Sequence, residues 1–205
     1  MLKHNVEQKS PEWFALRLEY PLTASEAQAI GNNGKGLETL CLEKMAERYS
    51  SAEKEMYTNK DLERGVELEG EAKSLYELET GLEVETVGFI TNEKVSKVAG
   101  ASPDGLVGTD GCLEIKAFAD CKHFKMIADL NTKGDFDIES QYMWQMQMQM
   151  LITGRKWTDF VAFNPNYKKS LLIKRVKPDK EMQKKIKEGL KKGEKFINEI
   201  IKAIT

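Results

Sequence analysis

The stretch Ala101-Ser102-Pro103-Asp104-Gly105-Leu106-Val107-Gly108-Thr109-Asp110-Gly111-Cys112-Leu113-Glu114-Ile115-Lys116 decides how the rest of the chain is read. Ser-Pro-Asp-Gly is a turn sequence, in which proline pre-sets φ and glycine takes an unusual one. Leu113 to Lys116 reads as a half-buried strand, whose side chains alternate between faces. Glu114 and Lys116 then project together, while Leu113 and Ile115 point into the core. If the turn folds back beside the strand as one β-hairpin, Asp104, Glu114 and Lys116 share one small volume. Two clustered carboxylates are costly without a cation. Hard oxygen ligands with open positions suit Mg²⁺, which keeps several waters and binds substrate phosphate. A lysine beside them stabilises charge on the phosphate or orients an attacking water. The pattern points to a metal-dependent phosphodiester hydrolase. Taken singly, each piece has an ordinary alternative: a surface turn, and a strand with a solvated face.

Composition narrows the classes. A length of 205 residues fits one domain, residues 1–205, with a substantial core. With 31 basic and 33 acidic residues the formal charge is −2, so any nucleic-acid contact must come from a local basic surface rather than from net charge. No apolar run approaches the ~18 residues of a membrane span, and the polar segment Met1 to Ser10 lacks the apolar stretch of a secretion signal. Cys41, Cys112 and Cys121 are odd in number and widely spaced, matching neither a disulfide framework nor a zinc site. Reduced thiols in a cytoplasm are the simplest reading. His4 and His123 are the only histidines, which excludes a histidine-rich metal site. Without a Gly-x-Ser-x-Gly elbow, a Ser–His–Asp triad is disfavoured as well.

Local patterns predict helices from Ser10-Pro11 to about Leu18, from Thr23-Ala24-Ser25-Glu26, over Leu37–Tyr49, over Asp61–Glu79, over His123–Leu130, from Ile138 to Thr153 and from Asp179 to Ile204. Gly31–Gly36, Ser50–Asn59 and Thr132–Asp135 read as loops, and Gly81 closes the fourth helix. Strands are predicted over Glu83–Thr91, Val95–Ala99, Gly111–Ala117, Trp157–Asn164 and Ser170–Arg175. Gly189 and Gly193 weaken the case for an unbroken last helix, whose lysines are most simply a solvated face. Helices, a strand meander, and then alternating helices and strands give an α/β (α+β) fold with a central mixed sheet flanked by helices.

Other residues fall into a supporting pattern. Glu69, on a helix, is available as a third carboxylate. In Gln141-Tyr142-Met143-Trp144-Gln145-Met146-Gln147-Met148-Gln149-Met150 the residues Gln141, Gln145 and Gln149 stack at helical spacing with Tyr142 beside them. The strict Gln/Met alternation also fits a strand, but the length favours a helix. A core helix with methionine as filler is the plain alternative. A glutamine and a tyrosine facing the carboxylate strand could hold water or phosphate oxygens. Arg17, Thr23 and Ser25 lie near helix starts, where free N–H groups and an arginine fork suit an anion. A surface arginine and ordinary helix caps would look the same.

These motifs, in this order, resemble the phage lambda exonuclease family of viral recombination nucleases, a branch of the PD-(D/E)xK nuclease superfamily. The matching residues are Trp13-Phe-Ala-Leu-Arg17-Leu, Thr23-Ala-Ser25-Glu26, Gly65 to Glu69, Ser102-Pro-Asp-Gly105, Leu113-Glu-Ile-Lys116 and Tyr142-Met-Trp-Gln145-Met-Gln147, spread from about Ser10 to about Pro165. The resemblance implies a restriction-endonuclease-like core. It implies a Mg²⁺-dependent 5′→3′ exonuclease on linear double-stranded DNA. Such an enzyme releases mononucleotides and leaves 3′ single-stranded overhangs for phage-type recombination by single-strand annealing. By the same resemblance Asp104, Glu114 and the Ile115 carbonyl bind metal, with a pair of ions per site and Mn²⁺ able to substitute. Lys116 assists the attacking water, and Glu69 and Gln145 complete the site. Arg17, Ser25 and Ser102 fall on a terminal 5′-phosphate pocket, Thr23 and Tyr142 on DNA contacts, and Leu62 on a wedge position ahead of the cut strand. The implied partners are DNA ends, two further copies in a homotrimeric ring, and a single-strand annealing protein, with no membrane. The implied setting is the cytoplasm of a bacterial host, with the gene carried by a phage or prophage. Arg17 and Thr23 are one residue further apart than in the family's namesake, with Pro21 in the gap. An endonuclease of the same superfamily and a silent DNA-end-binding recombination scaffold are the alternatives.

Overall fold

Alternating apolar residues in Gly111–Ala117 and the apolar run Phe160–Phe163 at the end of Trp157–Phe163 make these two segments neighbours inside a sheet. A computed structural model describes residues 1–51 and 60–204, and of residues 60–66 the backbone alone. In chain order its elements are β1 (Leu2–His4), α1 (Pro11–Glu19), β2 (Leu22–Thr23), a 3-10 turn (Ala24–Glu26), α2 (Ala27–Asn32), α3 (Lys35–Tyr49), α4 (Lys60–Thr80), β3 (Val84–Glu85), β4 (Phe89–Thr91), β5 (Ala99–Ala101), β6 (Gly105–Val107), β7 (Gly111–Ala117), α5 (Asp120–Lys133), α6 (Ser140–Thr153), β8 (Trp157–Phe163), β9 (Leu171–Val176) and α7 (Lys180–Ile204). Among the described residues no helix is long and apolar enough to cross a membrane.

The strands form two mixed sheets flanked by helices, in keeping with the mixed α/β class expected. One runs β3-β6-β7-β8-β9, with β7 and β8 parallel and the other pairs antiparallel. The other runs β1-β4-β5-β2, with only β2 and β5 parallel. Side-chain alternation divides the core accordingly. Leu113, Ile115, Val161 and Phe163 face α4 through Ala72 and Tyr76. On the opposite face Phe160 and Ala162 meet Met146 and Met150 of α6. The smaller sheet packs Leu22, Ile90, Ala99 and Ala101 with α2, α3 and α7, and there Trp144, Met148 and Ile152 of α6 join it. Helix α6 therefore serves both cores, which is why it is buried on most of its sides, Gln147 and Gln149 included.

Several expectations are corrected. The strand expected over residues 83–91 divides into β3 and β4, which belong to different sheets. At the crossing Gly88 lies so close to the Val6 backbone that a Cβ would sit 1.9 Å from its oxygen. The expected strand at Val95 is a turn, with Val95 and Ser96 both donating to the Asn92 carbonyl, and pairing starts only at Ala99. The expected loop from Gly31 is shorter: α2 continues to Asn32, and Asn33 ends it in the left-handed region at φ 52°. Helix α5 starts at Asp120 and takes in Thr132 and Lys133. β1, β2 and β6 were not anticipated as strands. Helix α7 is unbroken, and Gly189 and Gly193 serve close approach. A Cβ on Gly189 would fall 1.9 Å from the Ile30 carbonyl oxygen of α2.

Candidate active site

The hairpin expected from the sequence forms, with Gly105 opposite Leu113 and Val107 opposite Gly111. Asp104 stands where β6 begins. Its N–H donates to the Leu113 carbonyl at 3.0 Å, and its Oδ2 accepts from the Ile115 N–H at 2.6 Å. The carboxylate is thus tied to the backbone of the strand that carries Glu114 and Lys116. From the other side, the Gln8 amide donates to the carbonyls of Pro103 and Val87, at 3.0 and 2.8 Å, and fixes the turn against the N-terminal segment.

Glu114 does not lie on a solvated face. It is fully buried, and a buried carboxylate is tolerated only when its oxygens are matched. Oε1 accepts from the Gln145 amide at 2.7 Å and from Lys116 Nζ at 2.5 Å. Oε2 accepts from the Gln149 amide at 2.6 Å. The two glutamines reach it because residues four apart share one face of α6. Tyr142, on the same face, lays its ring 5.4 Å from the Lys116 ammonium.

Charge is finely opposed here. Burial first, and then the charges of Glu114 and Glu69, hold the Asp104 carboxyl well above its usual range, against the pull of Lys116 and the Ile115 N–H. Burial pulls Lys116 down, but attraction to Glu114 and Asp104 outweighs it and leaves the ammonium above its ordinary value. An added cation would relieve this concentration of negative charge. The donor set fits one: two carboxylates, and the carbonyl of Ile115. The N–H and C=O of one strand residue point to the same side. Since the Ile115 N–H meets Asp104, its carbonyl faces the same edge, beyond the point where β6 pairs.

Glu69 stands at the rim. With Asp104, Lys9 and Lys73 it lines a cleft of about 760 Å³, and its carboxylate leans toward Lys9 at 3.8 Å. Among the described residues no group of three or more His, Cys, Asp or Glu side chains has metal-ligating spacing, so Glu69 does not close on Asp104 and Glu114 in this arrangement. It shares a helical face with Tyr76, two turns further along α4. The Tyr76 hydroxyl donates to the buried Asp159 at 2.7 Å, and Arg175 clamps the same carboxylate at 2.8 Å through both Nε and Nη2.

A second cluster adjoins the turn. β2 lies beside β5, so the segment leaving β2 comes alongside Ser102, which follows β5. Arg17 Nη2 donates to Ser25 Oγ at 3.2 Å and stacks over the Trp13 ring at 4.6 Å. Trp13 Nε1 in turn donates to Ser102 Oγ at 2.8 Å. Thr23 donates to Glu26, Ser25 shares a hydrogen bond with Thr23 at 2.9 Å, and Ser25 Oγ also lies 3.2 Å from the Glu26 carboxylate, which is 3.6 Å from Arg17. Arg17, Ser25, Thr23 and Ser102 are thereby gathered two residues upstream of Asp104. The Leu62 side chain lies outside the described residues.

Sequence reasoning missed four participants. Gln149 was visible as the next member of the Gln145 row. Trp13, one helical turn before Arg17, was visible as its neighbour on α1. Glu26 sits at the third position after Thr23, the spacing of a capping box. Only Gln8 had no local signal.

This fold and this site have counterparts. The chain belongs to the YqaJ-like viral recombinase domain family, whose model matches residues 12–156. It is similar to an alkaline exonuclease, LHK-Exo, from Laribacter hongkongensis, at 30% identity over 95% of this chain and 98% of that one, with a TM-score of 0.77. The same exonuclease in complex with dAMP matches equally well. A phage-related exonuclease from Haemophilus somnus 129PT shares the fold, at 18% identity, 90% and 96% coverage and a TM-score of 0.62. No curated protein matches the chain.

Proposed function

We propose that this protein is a metal-dependent exodeoxyribonuclease that degrades one strand of linear duplex DNA 5′→3′, yielding mononucleotides and 3′ overhangs for recombination by single-strand annealing. The observation that carries the reading is the convergence of Asp104, Glu114, Lys116 and Gln145 on one strand edge, with Arg17, Ser25 and Ser102 gathered beside the same turn. Membership of a viral recombinase family, likeness to an alkaline exonuclease and that relative's complex with dAMP agree with it.

Asp104, Glu114 and the Ile115 carbonyl would hold Mg²⁺, as a pair of ions, with Mn²⁺ as a substitute. When bound, Mg²⁺ supplies an acidified water and neutralises charge on the phosphate. Lys116 offers an ammonium that donates hydrogen bonds toward the attacked phosphate. Gln145, tied through its amide to Glu114, keeps its own oxygen for orienting a water. Glu69 joins across the cleft once DNA narrows it. The Arg17 fork and the hydroxyls of Ser25 and Ser102 receive the 5′-terminal phosphate, and Trp13 holds Arg17 and Ser102 in register. Thr23 and Tyr142 flank the strand, and Leu62 is assigned the wedge. A homotrimeric ring, an annealing partner, a phage or prophage origin and action in the bacterial cytoplasm complete the reading by kinship.

The test is digestion of end-labelled linear duplex with Mg²⁺, comparing 5′-phosphate with 5′-hydroxyl ends and including closed circles and Asp104→Ala. Mononucleotides from linear DNA alone, faster from 5′-phosphate and absent with the variant, are expected. Cutting of circles would make the protein an endonuclease. Binding of ends without metal-dependent cutting would make it a scaffold.

A further inference from the structure

Away from the cleft, the outer side of α7 forms an open groove of about 950 Å³ against Lys94 and Leu151. Five lysines line it, Lys94, Lys187, Lys191, Lys195 and Lys202, against two glutamates, Glu194 and Glu199. All five lysines are exposed. Glu194 is engaged by Ser96 at 3.2 Å, and Glu199 lies 3.8 Å from Lys195. Among the described residues no ion pair holds Lys94, Lys187, Lys191 or Lys202. In a chain of net charge −2, five lysines against two glutamates leave this groove with a local excess of positive charge. The apolar side of α7, with Ile186, Leu190 and Ile197, is buried, so the lysines are fixed facing outward by the packing of the helix.

We infer that this groove is a second, sequence-independent binding site for the phosphate backbone of duplex DNA; the inference rests on the exonuclease reading and extends it. The row from Lys187 to Lys202 spans about 22 Å along the helix, the length of roughly six base pairs. Lysine is a flexible point charge, suited to phosphates in any register rather than to a fixed carboxylate geometry. Among the described residues no aromatic side chain lines the groove, so unpaired bases gain no stacking there and the attraction is to the backbone phosphates. It shares no lining residue with the cleft that holds Asp104. Leu151 lies about 9 Å along α6 from Gln145 and on a different face. DNA held here is held apart from the bond being cut. A duplex released at its end then stays tethered, and successive cuts draw on the same molecule.

The test is duplex-DNA binding in chelator by the full chain and by Lys187→Gln/Lys191→Gln/Lys195→Gln, across a salt series, with thermal melting as the check on folding. Each phosphate contact adds about 0.9 to the slope of log K against log salt, so losing three lowers it by about 2.7. The affinity lost between about 50 and 200 mM salt then shrinks roughly 40-fold relative to the parent. A folded variant with the parent's affinity and slope overturns the inference. So does a variant that keeps its DNA affinity but loses binding to a polyglutamate probe that the parent holds, which would give the groove to an acidic protein. A parent that neither binds nor cuts duplex DNA removes the exonuclease reading itself, a result distinct from either.

Discussion

Gln149→Leu separates the positioning of Glu114 from the stability of the fold. The substitution removes the amide that donates to Glu114 Oε2 at 2.6 Å, and a hydrogen bond to a charged group contributes about 1.5–3 kcal/mol. The same amide carries a cost, however, because its Oε1 is buried without a donor among the described residues. Removing such an orphan recovers about 1–3 kcal/mol. Leucine is close in volume, so little cavity is added. The recovered orphan offsets only part of what is lost when Glu114 Oε2 stays buried without its donor, so the melting temperature in chelator should fall, by about 2–4 °C for each 1 kcal/mol not offset in a chain of this size. Placement of the carboxylate has no such compensation. With one oxygen released, Glu114 is held only by Gln145 and Lys116, and loss of an outer partner of a metal ligand typically costs about 10–100-fold in metal affinity or activity. The assay is the rate of duplex digestion over a Mg²⁺ titration, run beside thermal melts of the metal-free protein. A higher Mg²⁺ requirement is expected in a variant that melts earlier but is still folded at the assay temperature. Parental Mg²⁺ dependence and rate would refute a positioning role for Gln149. Loss of activity in a variant already unfolded at the assay temperature would refute the partial offset.

In metal-free protein, burial and then the charges of Glu114 and Glu69 raise the Asp104 carboxyl above its unfolded-state pKa of about 3.9. Its contribution to stability is therefore complete below that value and is lost as pH rises through the folded one. Asp104→Asn, whose amide oxygen still accepts from Ile115, should gain stability over the parent as pH rises through this window, and parallel melting curves at every pH would disprove the shift. Arg17→Gln should reduce the rate advantage of 5′-phosphate over 5′-hydroxyl ends toward unity, and Trp13→Phe, which loses the bond to Ser102, should reduce it in part; an undiminished preference in Arg17→Gln excludes the pocket. Gly189→Ala places a methyl group 1.9 Å from the Ile30 carbonyl oxygen and should cost about 1–3 kcal/mol by forcing α7 off α2, measured by denaturant unfolding, with an unchanged midpoint as the contrary result.

The sequence was most legible where one local rule governed. β7 runs from Gly111 to Ala117 as its alternation predicts, and α3 ends at Tyr49 as its periodicity predicts. β1, β2 and β6 have only two or three residues each, too few for a period to register, and exist because neighbouring strands complete their hydrogen bonds. The division of residues 83–91 between two sheets follows from the approach of Val6 to Gly88, a contact between distant parts of the chain. In the site, the Asp104–Glu114–Lys116 grouping followed from strand geometry. The burial of Glu114 did not, because nothing in Leu-Glu-Ile-Lys announces that α6 will cover the strand. Arg17 and Ser102 are linked through Trp13, and Thr23 comes alongside the strand before Ser102 because β2 pairs with β5, both long-range contacts that no spacing encodes.

The position of α6 between the two sheets bears on how this chain changes over generations. Trp144 presses so closely on Gly31 that a Cβ there would lie 2.2 Å from the ring, Met146 and Met150 fill the space above β8, and Gln145 and Gln149 hold Glu114. A helix with an outward side can drift there one residue at a time. α6 has almost none, so a change at one position needs an answering change in α2, β7 or β8. Related chains should therefore vary least along α6, and where they do vary, residue 144 should change together with residue 31, and residue 149 together with the surroundings of residue 114.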